Sequence, residues 1–246
     1  MTLRRVHARS QREYCFVMAA SPIRWVPSAM IGSRQQSAPP YGFRAVFSAL
    51  EPFSLFLIRV LMALKSTIYK ASLQIANMDS HYYADHQLSI ACHPSETLQR
   101  MMIRILVFAL NAHESLEFGK GISDTDEPDL WQKDLTGAIE QWIEVGQPDE
   151  RRILKACGKS SRVQVYLYAS TGPIWWKQTQ SKVSRASNLQ VFQIDPEVAR
   201  ALEPLCQRTM QLQVTIQDGE IWVRDATDSV QIAIEQICGD PHRSPH

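Results

Sequence analysis

Between Thr67 and Ile75 every second residue (Thr67, Tyr69, Ala71, Leu73, Ile75) belongs to one side of the chain, with Lys70, Ser72 and Gln74 between them. That period of two commits the segment to a strand with one buried and one solvated face. Asn77-Met78-Asp79-Ser80 is turn chemistry, and residues 82–91 alternate again, so the pair reads as a hairpin.

The period then changes. Ser95 is a good N-cap for a helix starting at Glu96, and Leu98, Met101, Met102, Ile105, Leu106, Ala109 and Leu110 form an apolar stripe at helical spacing. A strand over 116–122 and an acidic stretch over 124–129 follow. Asp134-Leu135-Thr136-Gly137 has the Asp-first, Gly-fourth signature of a type I turn, leading into a strand over 138–145. The spacing next predicts a helix over 149–159, a strand over 162–169 and helices over 173–186 and 195–208. Strands over 211–217 and 221–224 meet at Asp218-Gly219, a strong hairpin signal. This order predicts a mixed α/β (α+β) fold in one domain over residues 62–240, with strand hairpins at both ends. There is no internal repeat and no Gly-rich phosphate loop.

Residues 1–61 have a different grammar. They hold eight Arg, no Lys and two acids, for a net charge of +6, whereas residues 62–246 carry a net charge of −5. Five prolines interrupt the first segment and no period is sustained in it, so it reads as an N-terminal extension outside the fold, either disordered or an artefact of a start assigned upstream of Met62. Its one apolar run, 53–64, carries Arg59 and is too short to span a bilayer, so no membrane association is expected. The five cysteines, at 15, 92, 157, 206 and 238, lie far apart without metal spacing, which suits a reducing cytoplasm and small core residues.

The segments Met62-Ala-Leu-Lys-Ser-Thr-Ile-Tyr-Lys-Ala71, His93-Pro-Ser-Glu-Thr97, Asp126-Glu-Pro-Asp-Leu-Trp131, Trp142-Ile-Glu-Val-Gly146 with Pro148-Asp-Glu-Arg-Arg152, and Thr215-Ile-Gln-Asp-Gly-Glu-Ile-Trp222 together resemble the YaeQ family, from Met62 to about Ile237. The resemblance implies a restriction-endonuclease-like fold, a variant of the PD-(D/E)XK nucleases, in a bacterial cytoplasmic protein without an assigned activity. It leaves residues 1–61 uncovered, and members of the family start where Met62 stands.

That nuclease core holds Mg²⁺ or Mn²⁺ with a Glu from a helix, an Asp from one strand and an acid-x-Lys triplet from the next. The ion activates water and stabilises charge at the phosphate. Glu144-Val145-Gly146 sits where the triplet belongs, but Gly146 supplies no ammonium. Lys155 or Lys182 is then the candidate replacement. With Leu135 and Thr136 as the turn, Glu127 falls opposite Glu144 and Asp129 diagonally beside it. Asp129 is the chosen Asp, with Glu127 and Asp126 as rivals. Glu140 shares the face of Glu144, and Glu96 matches the helical acid. The expected metal set is Glu96, Asp129, Glu140 and Glu144, and the expected catalytic set is Glu144, Asp129, Lys155 and Lys182.

Each of these residues also has a structural reading. Glu96 pairs with Arg100 at helical spacing, Glu144 in an apolar strand needs Arg151, Arg152 or a metal, and His93 before Pro94 is a helix-entry residue. Nucleic acid is a candidate partner through Trp175, Trp176 and a basic stripe (Lys155, Lys159, Arg162, Lys177, Lys182, Arg185), although the core is net negative. The alternative is a catalytically inactive protein-interaction module in transcription or nucleic-acid metabolism. A Lys beside the carboxylates favours the enzyme, and carboxylates neutralised by Arg favour the module.

Overall fold

The alternating segments form the hairpin expected of them, β1 (Thr67–Asn77) and β2 (Tyr82–Cys92), closed by a turn in which the Asn77 side chain accepts from the Ser80 amide. The structure, a computed structural model, describes residues 66–120 and 126–239. The N-terminal extension, and residues 121–125 of the expected strand and acidic stretch, lie outside the described residues.

After the hairpin come α1 (Leu98–Leu110), β3 (Leu116–Phe118), β4 (Leu130–Lys133), β5 (Ile139–Val145), α2 (Glu150–Lys159), β6 (Ser160–Leu167) and α3 (Gly172–Val183). Then follow β7 (Leu189–Ile194), α4 (Pro196–Ala201), a 3₁₀ turn (Glu203–Leu205), β8 (Thr209–Gln217), β9 (Glu220–Arg224), β10 (Ser229–Ile232) and β11 (Ile234–Cys238). The result is mixed α/β. One sheet has the order β10-β9-β8-β1-β2, the other β11-β7-β6-β5-β4-β3. The two terminal hairpins therefore share a sheet, because β1 runs parallel to β8.

Helix α1 lies between the sheets. Its residues Met101 to Ala109 are all buried, and they cluster with Ala71, Leu73 and Ile75 of one sheet and Ile143, Val145 and Tyr166 of the other. Apart from the Arg100–Arg104 face the helix is apolar on every side and belongs in an interior, where each Leu, Ile or Phe contributes roughly 1.5–3 kcal/mol by leaving water. The opposite face of the six-stranded sheet packs Trp142, Val163 and Val165 against Ile153 of α2 and Val183 of α3. Among the described residues no helix is long and apolar enough to cross a membrane.

Four sequence expectations are corrected. Helix α1 starts two residues late, because Thr97 rather than Ser95 caps it, accepting from the Arg100 amide. Ser95 instead engages the His93 ring. The helix expected over 195–208 is a six-residue α4 and a 3₁₀ turn, since Pro204 has no N–H to continue the ladder. Strands β7, β10 and β11 were not expected, β7 because its residues are nearly all covered on both faces and show no alternation. The β4–β5 register differs too. Leu130 opposes Ile143 and Trp131 opposes Trp142, with an irregularity between Gln132 and Lys133. Gly137, at φ 87°, adds a residue to the loop beyond the expected pair.

Candidate functional site

The corrected register carries Asp129, one step before β4, to the level of Glu144, where Glu127 was expected. The Asp129 amide donates to the Ile143 carbonyl, and its own side chain accepts from the Val145 amide at 2.8 Å. Its side chain is 2% exposed and turns toward α1. There Arg100 Nη2 donates to both oxygens, at 2.7 and 2.8 Å, and also reaches the Val145 carbonyl. Arg104 Nε stands 3.4 Å from Asp129 Oδ1, within reach of charge attraction but without a hydrogen bond.

Glu96 precedes the cap of α1 instead of sitting in its first turn, yet its carboxylate folds back onto the helix. Arg100 Nη1 donates to it at 2.6 Å and Arg104 Nη1 at 3.2 Å. Thus two buried acids share two arginines spaced four apart on one helix face. Burial works against the Arg100 charge, but Asp129 and Glu96 more than offset it and hold the guanidinium above its ordinary value.

Glu144 belongs to the other side of the sheet. It accepts from Trp142 Nε1 and from Arg152 Nε on α2, each at 2.7 Å, and Arg152 Nη2 continues to the Glu127 carbonyl. Burial pushes the Glu144 carboxyl above its usual range despite Arg152, and the negative charge of Asp129 adds to the rise. The folded state therefore takes up this proton more readily than the unfolded chain. The resulting stability is fully present below the ordinary value of 4.5 and is lost as pH rises through the raised folded value. Wild type should lose melting temperature relative to Glu144→Gln as pH climbs from about 4 toward neutrality. A difference flat across that range would show that Glu144 is not raised.

The remaining sequence candidates stand apart from these acids. Glu140 is exposed and accepts from Gln132 at 2.7 Å. Four rises of the strand separate it from Glu144, a span of about 13 Å, so the two cannot share an ion. Lys155 pairs with Asp126, and Lys182 with Glu150. Glu127 pairs with Lys120. Gly146 takes φ 104° at the end of β5, where it donates to the Tyr166 carbonyl. Trp175 and Trp176 are half-buried and pack against the core under α2 and α3.

As held here, the donor set does not suit a divalent cation. Each of the three buried acids already has a guanidinium, and three arginines balance three carboxylates. Among the described residues no three His, Cys, Asp or Glu side chains are grouped to hold an ion. The sequence reading missed Arg104. Its signal is plain, since an Arg inside the apolar run 101–109 has to find a buried acid.

The YaeQ protein family model matches residues 62–234. An uncharacterized YaeQ protein of Salmonella typhi is 45% identical over 174 residues, spanning 70% of this chain and 96% of that protein. Its counterpart in Escherichia coli (strain K12) is 44% identical over 172 residues, spanning 70% and 95%. The crystal structure of YaeQ protein from Xanthomonas axonopodis pv. citri is similar with a TM-score of 0.68 at 44% identity, covering 71% of this chain and 99% of that one.

Proposed function

Since this chain belongs to the YaeQ family, we propose that it is a nuclease-type scaffold that no longer hydrolyses phosphodiesters and works as a binding module in transcription or nucleic-acid metabolism. The observation that carries this reading is the pairing of Glu96 and Asp129 with Arg100 and Arg104. Metal-assisted hydrolysis needs carboxylates whose negative charge is left for a cation, together with a group that orients water. Here guanidinium groups stand where the cation's charge is called for, and guanidinium cannot lower the pKa of a bound water. The candidate lysines are engaged by surface acids, and Gly146 offers no substitute. Placement of α1 on one face of the six-stranded sheet and of α2 and α3 on the other supports a nuclease-type ancestry for the scaffold.

A second reading keeps Mg²⁺ or Mn²⁺ between Asp129 and Glu144, without Glu96, which lies across the sheet from Glu144. It draws on the mutual repulsion of Asp129 and Glu144, which a cation would relieve. The two readings part in one experiment. The full chain is melted with and without millimolar Mn²⁺ or Mg²⁺ and incubated with plasmid DNA, single-stranded DNA and RNA. No shift in melting temperature and no cleavage are expected. Metal-dependent cleavage that disappears in Glu144→Ala would overturn the binding-module reading.

A further inference from the structure

We propose that the solvent face of the five-stranded sheet is a trough for an uncharged oligosaccharide. The register lays Tyr83, Ala76, Thr215 and Trp222 side by side across β2, β1, β8 and β9, all on the face opposite the core. Three strand spacings put the two rings about 14 Å apart, with only small side chains between them. The floor is shallowly recessed and open to solvent. One depression of about 550 Å³ is lined by Gln74, Tyr83 and Gln213, and a neighbouring one of about 400 Å³ shares Gln74 and Gln213. Each lies within the roughly 300–1,000 Å³ usual for small-ligand sites.

The chemistry of this floor selects the occupant. Gln213 Nε2 donates to Gln74 Oε1 at 3.0 Å, and Gln87 Nε2 donates to Ser72 Oγ at 2.9 Å. Each primary amide so engaged keeps a further donor or acceptor beyond that bond. Sugar hydroxyls both donate and accept, so they match such a floor. The apolar C–H face of a pyranose matches the exposed Tyr83 ring at one end, and the Arg224 guanidinium lying over Trp222 offers hydroxyl-binding donors at the other. Charge argues against a polyanion. Lys70 and Arg224 on this face are offset by Asp85 and Glu220, and Arg224 already lies over the Trp222 ring. Nucleic-acid binding draws on uncompensated Lys and Arg, which this face lacks. An amphipathic helix would find no apolar strip along Ser72, Gln74, Gln211 and Gln213.

The test is titration of the full chain with cellohexaose, chitohexaose, maltohexaose and a dT oligonucleotide, followed by tryptophan fluorescence and calorimetry at low and high salt. At least one hexasaccharide should bind, with affinity unchanged by salt. That affinity should fall at least tenfold in Trp222→Ala and in Gln74→Ala/Gln213→Ala. Tyr83 is 62% exposed, so Tyr83→Ala leaves the core untouched and should also weaken binding even if a Trp222 variant folds poorly. Absence of binding by all three hexasaccharides overturns the proposal, as does binding that ignores Tyr83 and Gln74/Gln213. Salt-sensitive binding of the oligonucleotide alone, lost in Tyr83→Ala, would reassign the face to nucleic acid and equally overturn it.

Discussion

Replacing Asp129 with alanine should lower the melting temperature by roughly 10 °C, because removing one partner of a buried ion pair costs about 3–5 kcal/mol. The effect is large because of what remains behind. Arg104, 2% exposed, loses an acid 3.4 Å away, Arg100 loses two hydrogen bonds, and the Val145 amide loses its acceptor. Asp129→Asn keeps an acceptor for Val145 but not the charge, and should fall between wild type and alanine. Coupling is the sharper check. If the acids exist here to balance the arginines, Asp129→Leu combined with Arg104→Met should cost much less than the two single changes added together. Additive costs, or an Asp129→Ala protein that melts within about a degree of wild type, would remove the network from any account of this fold.

The second large effect is expected at Gly119, where no unusual torsion is involved, only space. A Cβ built there would sit 2.0 Å from the Pro128 carbonyl oxygen and 3.2 Å from the carbonyl carbon, both backbone atoms. The Gly119 amide also donates to the Asp129 carbonyl at 2.9 Å. Gly119→Ala must therefore push β3 away from the segment that carries Asp129. Overpacking of this kind costs about 1–3 kcal/mol, which is several degrees of melting temperature here. Amide exchange at Val145 should accelerate as well, because its acceptor is carried on the displaced segment. Unchanged stability with unchanged exchange would mean that the close approach at Gly119 has no role in positioning Asp129.

What the sequence made legible follows how local each signal is. The β1–β2 hairpin, the helix over 149–159 and the Asp218-Gly219 turn depend on residues within a few positions of one another. The helix begins one residue later than expected, with Asp149 as its cap, and Asp218 and Gly219 both take positive φ. Strand β7 escaped because a strand covered on both faces has no period to detect. The carboxylates were half legible. Glu96, Asp129 and Glu144 are all buried, yet the irregularity after Gln132 shifts the pairing that decides which acid faces Glu144. Arg104 is four positions from Arg100, but its second acid lies beyond an intervening stretch of chain, and nothing local announces that partner. The same holds for the buried amide chain Gln141, Gln164 and Gln190, which joins three strands through side chains that look like surface residues.

The parallel contact between β1 and β8 joins residues 139 apart, as in the Gln213–Gln74 hydrogen bond. Closing a loop of that size costs roughly 4 kcal/mol of chain entropy before any contact repays it. Synthesis delivers the two strands separately. Roughly 120 residues lie between Cys92 and Thr209, about 10 s of translation at ordinary elongation rates. During that interval the hairpin has Ala71, Leu73 and Ile75 to cover before Met210, Leu212 and Val214 of β8 exist to share the task. The edge of β1 that β8 will fill meanwhile stands open to other chains. Folding should therefore be slow and limited by the formation of this one distant pairing, which can begin only once the last strands have been made.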